Sequence, residues 1–189
     1  MELQQTLDNR RAYRAISNDP IEKETLEQLA LAARLAPSAG NSQPWRIITV
    51  SNPEILHSMH GVLSRGNYWA SKAAAITAFI TKKEWSIQLG ERPFAYFELG
   101  MAAMAYQLKA TEEHLVAHPI AGFNDEKAKA LLNIGSTEQV FVLIILGHKI
   151  EDDSFLHDKH RQAEHEQRTR KPLNEIFAFD SWNEKLNPQ

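Results

Sequence analysis

The run "QVFVLIILG" at 139–147 carries no charge and no turn residue before its final glycine. It is too short for an ordinary helix and rich in β-branched residues. It therefore reads as a strand at the centre of a sheet, covered on both faces. A second apolar run of strand length, "AAAITAFIT" (73–81), and the β-branched "WRIITV" (45–50) supply neighbours. A sheet buried on both sides needs helices on each, and the remaining periodicities provide them. Asp19 as N-cap, Pro20 at the first helical position and Glu22 in a capping box predict a helix whose Leu26, Leu29, Ala30 and Ala33 form one apolar stripe; Pro37 ends it. Asn52 followed by Pro53 predicts a second helix, and Asn124 caps a third over "NDEKAKALLNI". Between the strands, "PFAYFELGMAAMAYQLKATEEHL" (93–115) is helical by length and composition and apolar nearly all round, which places it in the middle of the fold or in an interface. The expected class is α+β, with a central mixed sheet flanked by helices on both faces.

At 189 residues the chain suffices for one domain with a substantial core. Its 21 basic and 24 acidic residues leave a net charge of −3, which gives no reason to expect bulk nucleic-acid binding or a polybasic membrane anchor. The absence of cysteine removes disulfides, thiolate nucleophiles and cysteine-ligated zinc, so any redox chemistry must come from a bound cofactor. No apolar stretch approaches the roughly 18 residues of a membrane span, and the N-terminus has no signal-like apolar core. A cytoplasmic protein is expected. Beyond about residue 150 the chain turns polar, then ends in an apolar cluster of Ile176, Phe177, Phe179 and Trp182. An isolated tail cannot bury those side chains, so region 151–189 is expected to lie against another surface, its own or a partner's.

Four features carry chemical potential. Arg10, Arg11 and Arg14 crowd into "RRAYR", and Arg168, Arg170 and Lys171 into "RTRK". Each cluster alone suits a solvated basic face as well as a phosphate grip; together they suit one dianion, if they converge. In "PSAGNSQPW" (37–45), Ser38, Asn41, Ser42 and Gln43 offer hydroxyls and amides just ahead of a strand. They fit the edge of a flat heterocycle or a plain capping turn. In "HPIAGF" (118–123), Gly122 permits either a close backbone approach to a ligand or a simple turn. The eight histidines include an i, i+4 pair, His114 and His118, but no HExxH motif accompanies them, and no metal is expected. Neither GxSxG nor a glycine-rich phosphate loop is present, so nucleotide binding would rest on arginines.

With these residues in view, the chain resembles the nitroreductase family of FMN-dependent oxidoreductases. "RRAYRAI", "PSAGNSQPW", "PIAGF" and "RTRKPL" occur in the family's order and span nearly the whole length. The resemblance implies an intertwined homodimer with FMN at the subunit interface. Arg10, Arg11, Arg14, Arg168 and Arg170 would hold the phosphate and ribityl chain. Pro37, Ser38, Asn41 and Gln43 would reach the flavin from the opposite subunit. Within Ile120, Ala121 and Gly122, a backbone N–H of Ala121 or Gly122 would face flavin N5, and Asn67 would contact the pyrimidine edge. Ala12 stands where the family usually has a serine, so one hydrogen bond is lost or supplied by backbone. Glu98 keeps an acid in the central helix, where the Asn of the family's Gln-Asn pair is absent.

The implied activity is transfer of hydride from NAD(P)H through the flavin to nitroaromatic, quinone or similar acceptors by a ping-pong cycle. No side chain needs to act as nucleophile. Trp45, Phe94 or Trp69 could form an apolar floor or pack in the core. Two other classes compete: a flavin-binding, redox-responsive regulatory protein using 151–167 as a partner surface, and a helical interaction protein without flavin.

Overall fold

In the computed structural model, which describes residues 2–187, the central strand is β7 (Gln139–Lys149), where the long apolar run predicts it. β3 (Ala75–Thr81) and β6 (Leu115–Ile120) both pair with its Leu143–Leu146 stretch and so occupy opposite edges. β2 (Arg46–Val50) pairs with β3, and the short β1 (Ile16–Ser17) pairs with His148 and Lys149 beyond the end of β3. A separate small ribbon joins β4 (Gln88–Leu89) to β5 (Arg92–Pro93).

Every ladder among the described residues is antiparallel, which corrects the expected mixed sheet. The excursions from β2 to β3 and from β6 to β7 begin and end at the same end of the sheet, as hairpins do. Only helix α4 (Phe94–Glu112) makes a full crossover, joining β3 to β6. Those two strands are parallel to each other but lie on either side of β7, so no parallel ladder forms.

Both faces of the sheet are covered. On one, Ile76, Ala78, Ile80, Leu143 and Ile145 pack with Met59 of α3 (Pro53–His60), Trp69, Ala128 of α5 (Asp125–Leu132) and Leu156. On the other, Ala75, Phe79, Ile144 and Leu146 pack with Leu26, Leu29 and Ala33 of α2 (Lys23–Arg34) and with Leu99, Ala102 and Tyr106 of α4. Alternate residues of one strand thus feed two cores, each fully buried Leu, Ile or Phe contributing about 1.5–3 kcal/mol.

The asparagine caps form as expected: Asn52 Oδ1 accepts from the N–H of Glu54 and Ile55, and Asn124 Oδ1 from that of Lys127. The Asp19 cap does not. α2 begins at Lys23, and the Asp19 carboxylate instead accepts from the Ser17 hydroxyl at 2.7 Å. Ser17 is held in β1, and this local bond wins over the cap. After β7 the chain turns back on its own body: Leu156 is buried, and α6 (Asp158–His165) lies beside Tyr68, whose ring stacks on His157 at 4.1 Å. Beyond α6, Leu173, Ile176, Phe177, Phe179 and Trp182 stand between 47% and 79% exposed. Among the described residues no helix is long and apolar enough to cross a membrane.

Candidate functional site

The two arginine clusters, some 160 residues apart in sequence, meet. Arg10, Arg11, Ala12, Arg168, Thr169 and Arg170 line one depression. Arg168 reaches the carbonyls of Leu7, at 3.0 Å, and Asp8, at the end of α1 (Leu3–Asn9), where the helix presents its negative pole. Arg10, half-buried, makes no ion pair with a carboxylate among the described residues. Burial, and then the nearby charges of Arg168 and Arg170, lower its guanidinium pKa from the ordinary value. With no carboxylate partner among the described residues, these three guanidiniums around one hollow have the charge and donors that suit a polyanion.

Arg11 and Arg14 have other duties. Arg11 donates from Nη2 to the carbonyls of Glu166 (2.8 Å) and Ala163 (3.3 Å), and its guanidinium lies over the Tyr13 ring. Arg14 lies over Trp69 at 5.9 Å, further along the same strip of protein. Trp69 in turn packs against His118, ring centroids 4.5 Å apart. His118 is buried, its Nδ1 against the Tyr13 carbonyl at 3.0 Å. Burial, followed by the charges of Arg14, His160 and Arg10, pushes its pKa down to about 4 despite the opposing bond to Tyr13.

Past His118, β6 ends at Ile120 and the chain clamps onto the turn at 64–67. The Gly122 carbonyl accepts from the backbone N–H of Ser64 (2.9 Å) and from Asn67 Nδ2 (2.8 Å). A Cβ on Gly122 would sit 2.5 Å from Ser64 Oγ, so any other residue here forces the Ser64 and Asn67 side chains to shift. The N–H groups of Ala121 and Gly122 carry no hydrogen bond to other described residues. Asn67 therefore has a task that its sequence position does not reveal: its amide shapes the Gly122 turn.

The loop from Pro37 to Gln43 lies elsewhere. Ser38 Oγ accepts from the N–H of Gln43 at 2.9 Å, and Gln43 Nε2 donates to the Asn41 carbonyl. Gly40, Asn41 and Gln43 all hold positive φ, between 47° and 57°. Glu98, buried in α4, accepts from the Ala39 N–H at 2.7 Å and anchors the loop from below. This loop precedes Arg46, which pairs through Ile80 with the Val140 end of β7, whereas Arg10–Arg14 precede Ile16, which pairs with Lys149. At ~3.3 Å per residue the two lie about 30 Å apart along β7. A single chain does not bring them together.

Of two supporting residues, one escapes motif reading and the other is marked only by its type. Glu98 is visible only as an acid inside an apolar helix, which flags it as special. Glu164 sits in a polar stretch with nothing to mark it, yet it is buried and its carboxylate accepts the N–H of both Arg14 (2.8 Å) and Ala15 (3.3 Å). The fate of the candidate apolar floor is mixed: Trp45 and Trp69 are buried in the two cores, while Phe94 borders an apolar hollow with Phe97.

The model of the nitroreductase family matches residues 7–75 and 62–148. The chain belongs to the nitroreductase family. This nitroreductase-family chain is 31% identical over 158 residues to an Archaeoglobus fulgidus protein named for NADH dehydrogenase and NAD(P)H nitroreductase, covering 77% of this chain and 84% of that one. It is 25% identical over 176 residues to an NADH dehydrogenase of Thermus thermophilus, covering 76% and 84%. Its fold matches a crystal structure of an oxidoreductase containing FMN with TM-score 0.84 at 24% identity, over 94% of this chain and 91% of that chain. A nitroreductase family protein of Clostridium difficile 630 matches with TM-score 0.78 at 19% identity, over 96% and 100%.

Proposed function

We propose that the chain is an NAD(P)H-dependent FMN oxidoreductase, working as a homodimer on nitroaromatic, quinone or similar electron-poor acceptors by a ping-pong cycle. The observation that carries this reading is the convergence of Arg10, Arg168 and Arg170, without a carboxylate among them, in a chain of the nitroreductase family. The residues fit FMN: a cationic hollow for the phosphate, Arg14 further along for the ribityl chain, and the free N–H groups of Ala121 and Gly122 for the ring. When bound, FMN supplies the hydride and electron transfer between nicotinamide and acceptor. The chain's own residues hold and orient. The arginines fix the phosphate end, and the turn clamped by Asn67 keeps the Ala121 and Gly122 donors in place without reorganisation. No side chain is required to attack the substrate.

The separation of about 30 Å between the arginines and the Ser38–Gln43 loop supports a dimer. A loop with constrained backbone and outward amides at the far end of the sheet makes sense if it serves the partner's flavin. The exposed apolar side chains of Leu173, Ile176, Phe177, Phe179 and Trp182 point the same way. Region 151–187 then has two parts: α6 and the stretch through Arg170 stay on their own protomer, and the apolar segment from Leu173 onward packs on the partner.

The visible spectrum of the purified protein, before and after incubation with FMN, tests the reading. Flavin absorbance that bleaches with NADH or NADPH under anaerobic conditions supports an oxidoreductase. Protein that stays colourless after FMN sinks it, and bound flavin that does not bleach leaves a flavin-binding regulator instead.

A further inference from the structure

The backbone between Arg10 and Ile16 is held in place from outside. Glu164 reaches across from α6 and accepts the consecutive N–H groups of Arg14 and Ala15 on its two carboxylate oxygens, at 2.8 and 3.3 Å. In an extended strand successive N–H groups point to opposite sides. Two in a row on one carboxylate therefore mark a kink immediately before β1, and Glu164 is what stabilises it. The grip is reciprocal, because Arg11 closes on the carbonyls of Ala163 and Glu166 at the end of the same helix. α6 is itself seated by the Tyr68 hydroxyl, which accepts from the His157 N–H at 2.7 Å, and by Arg161, which donates to the Leu156 carbonyl at 2.9 Å. From α6 the chain runs directly to Arg168 and Arg170.

We infer that Glu164 is the positioning residue of the arginine hollow: it ties the Arg10–Arg14 strand to the segment bearing Arg168 and Arg170, so that both halves of the phosphate grip form together. It does not itself line the hollow. Among the described residues it is the carboxylate bound to this kink, and it spends its charge on two backbone donors and leaves the guanidiniums uncompensated. The inference rests on the FMN reading above and assigns the residue that makes the site selective for a phosphorylated flavin.

Paired titrations with FMN and riboflavin, which lacks the phosphate, separate this role from a general contribution to folding. Wild-type protein should prefer FMN. In Glu164→Ala, FMN affinity should fall on the order of ten- to a hundredfold, as expected when charge-assisted bonds are lost, while riboflavin affinity stays unchanged. Glu164→Gln keeps the side-chain volume and one acceptor. It should fall between the two, and it carries the test should the alanine variant not fold. A ratio of FMN to riboflavin affinity that is the same in wild type and both variants overturns the inference, even where all three affinities fall. Wild-type protein that binds neither flavin overturns the FMN reading itself, whereas a wild type that prefers FMN while the variants keep that preference overturns only the role of Glu164.

Discussion

Asn67 Nδ2 donates to the Gly122 carbonyl at 2.8 Å, and a Cβ on Gly122 would approach that same nitrogen to 2.8 Å. The bond and the missing side chain depend on each other. Gly122→Ala must displace Asn67 and Ser64 Oγ, and we expect a loss of about 1–3 kcal/mol in urea unfolding, the usual range for overpacking. Asn67→Ala should cost about 1 kcal/mol, the net value of one hydrogen bond. If FMN is bound here, both variants should also shift the flavin absorbance bands. A Gly122→Ala protein of wild-type stability and spectrum would contradict the clamp.

Arg10, Arg168 and Arg170 repel one another in the absence of an anion. Arg10→Ala and Arg170→Ala should therefore weaken FMN binding by about 1.5–3 kcal/mol each, yet leave the stability of the flavin-free protein unchanged or slightly higher. The FMN affinity of wild type should also fall with added salt, as screening predicts for a partly exposed site. Equal losses in binding and in apo stability would show that these arginines serve the fold.

Glu98 supports the Ser38–Gln43 loop through a single bond to the Ala39 N–H, and its other oxygen, Oε2, is buried without a partner among the described residues. Glu98→Ala leaves the Ala39 N–H unpaired, at a cost of about 1–3 kcal/mol where water cannot replace it. The positive φ values at Asn41 and Gln43 then lose part of what holds them. Amide hydrogen exchange over 36–45 should accelerate in Glu98→Ala and stay near wild type in Glu98→Gln, which retains an acceptor. Unchanged exchange in the alanine variant would remove Glu98 from this role.

His118 gives the protein a specific acid sensitivity. Its folded pKa of about 4 lies below the ordinary 6.5, so the unfolded chain takes up a proton between these values that the folded chain refuses. Stability is fully present above pH 6.5, falls as pH drops toward 4, and levels off for this group below that. At ~1.4 kcal/mol per unit the loss is roughly 3 kcal/mol. His118→Gln should flatten the pH dependence of the urea midpoint between pH 7 and 4.5; an equally steep decline in the variant would place the sensitivity elsewhere.

Much of the fold is legible in the chain because its signals are local. The run at 139–147 announces a strand buried on both faces, and the structure places its alternate residues in two separate cores. Asn52 and Asn124 cap their helices because a cap needs only the next two or three N–H groups. Asp19 fails for a reason the helix pattern cannot contain: Ser17 is held in β1 by Lys149 and His148, over a hundred positions away, and offers its hydroxyl first.

The site divides in the same way. Residue types and motif order mark the arginines, Gly122, Asn67 and the Ser38–Gln43 loop as special, since each must supply a particular donor, charge or backbone freedom. Three relations come only from the tertiary structure: the convergence of Arg10 with Arg168 and Arg170, the distance between that hollow and the loop, and the Glu164 tie. They depend on which ends of β7 the flanking segments reach and on how α6 folds back. Those outcomes follow from the packing of the two cores, a sum over long-range contacts that no short stretch of sequence encodes.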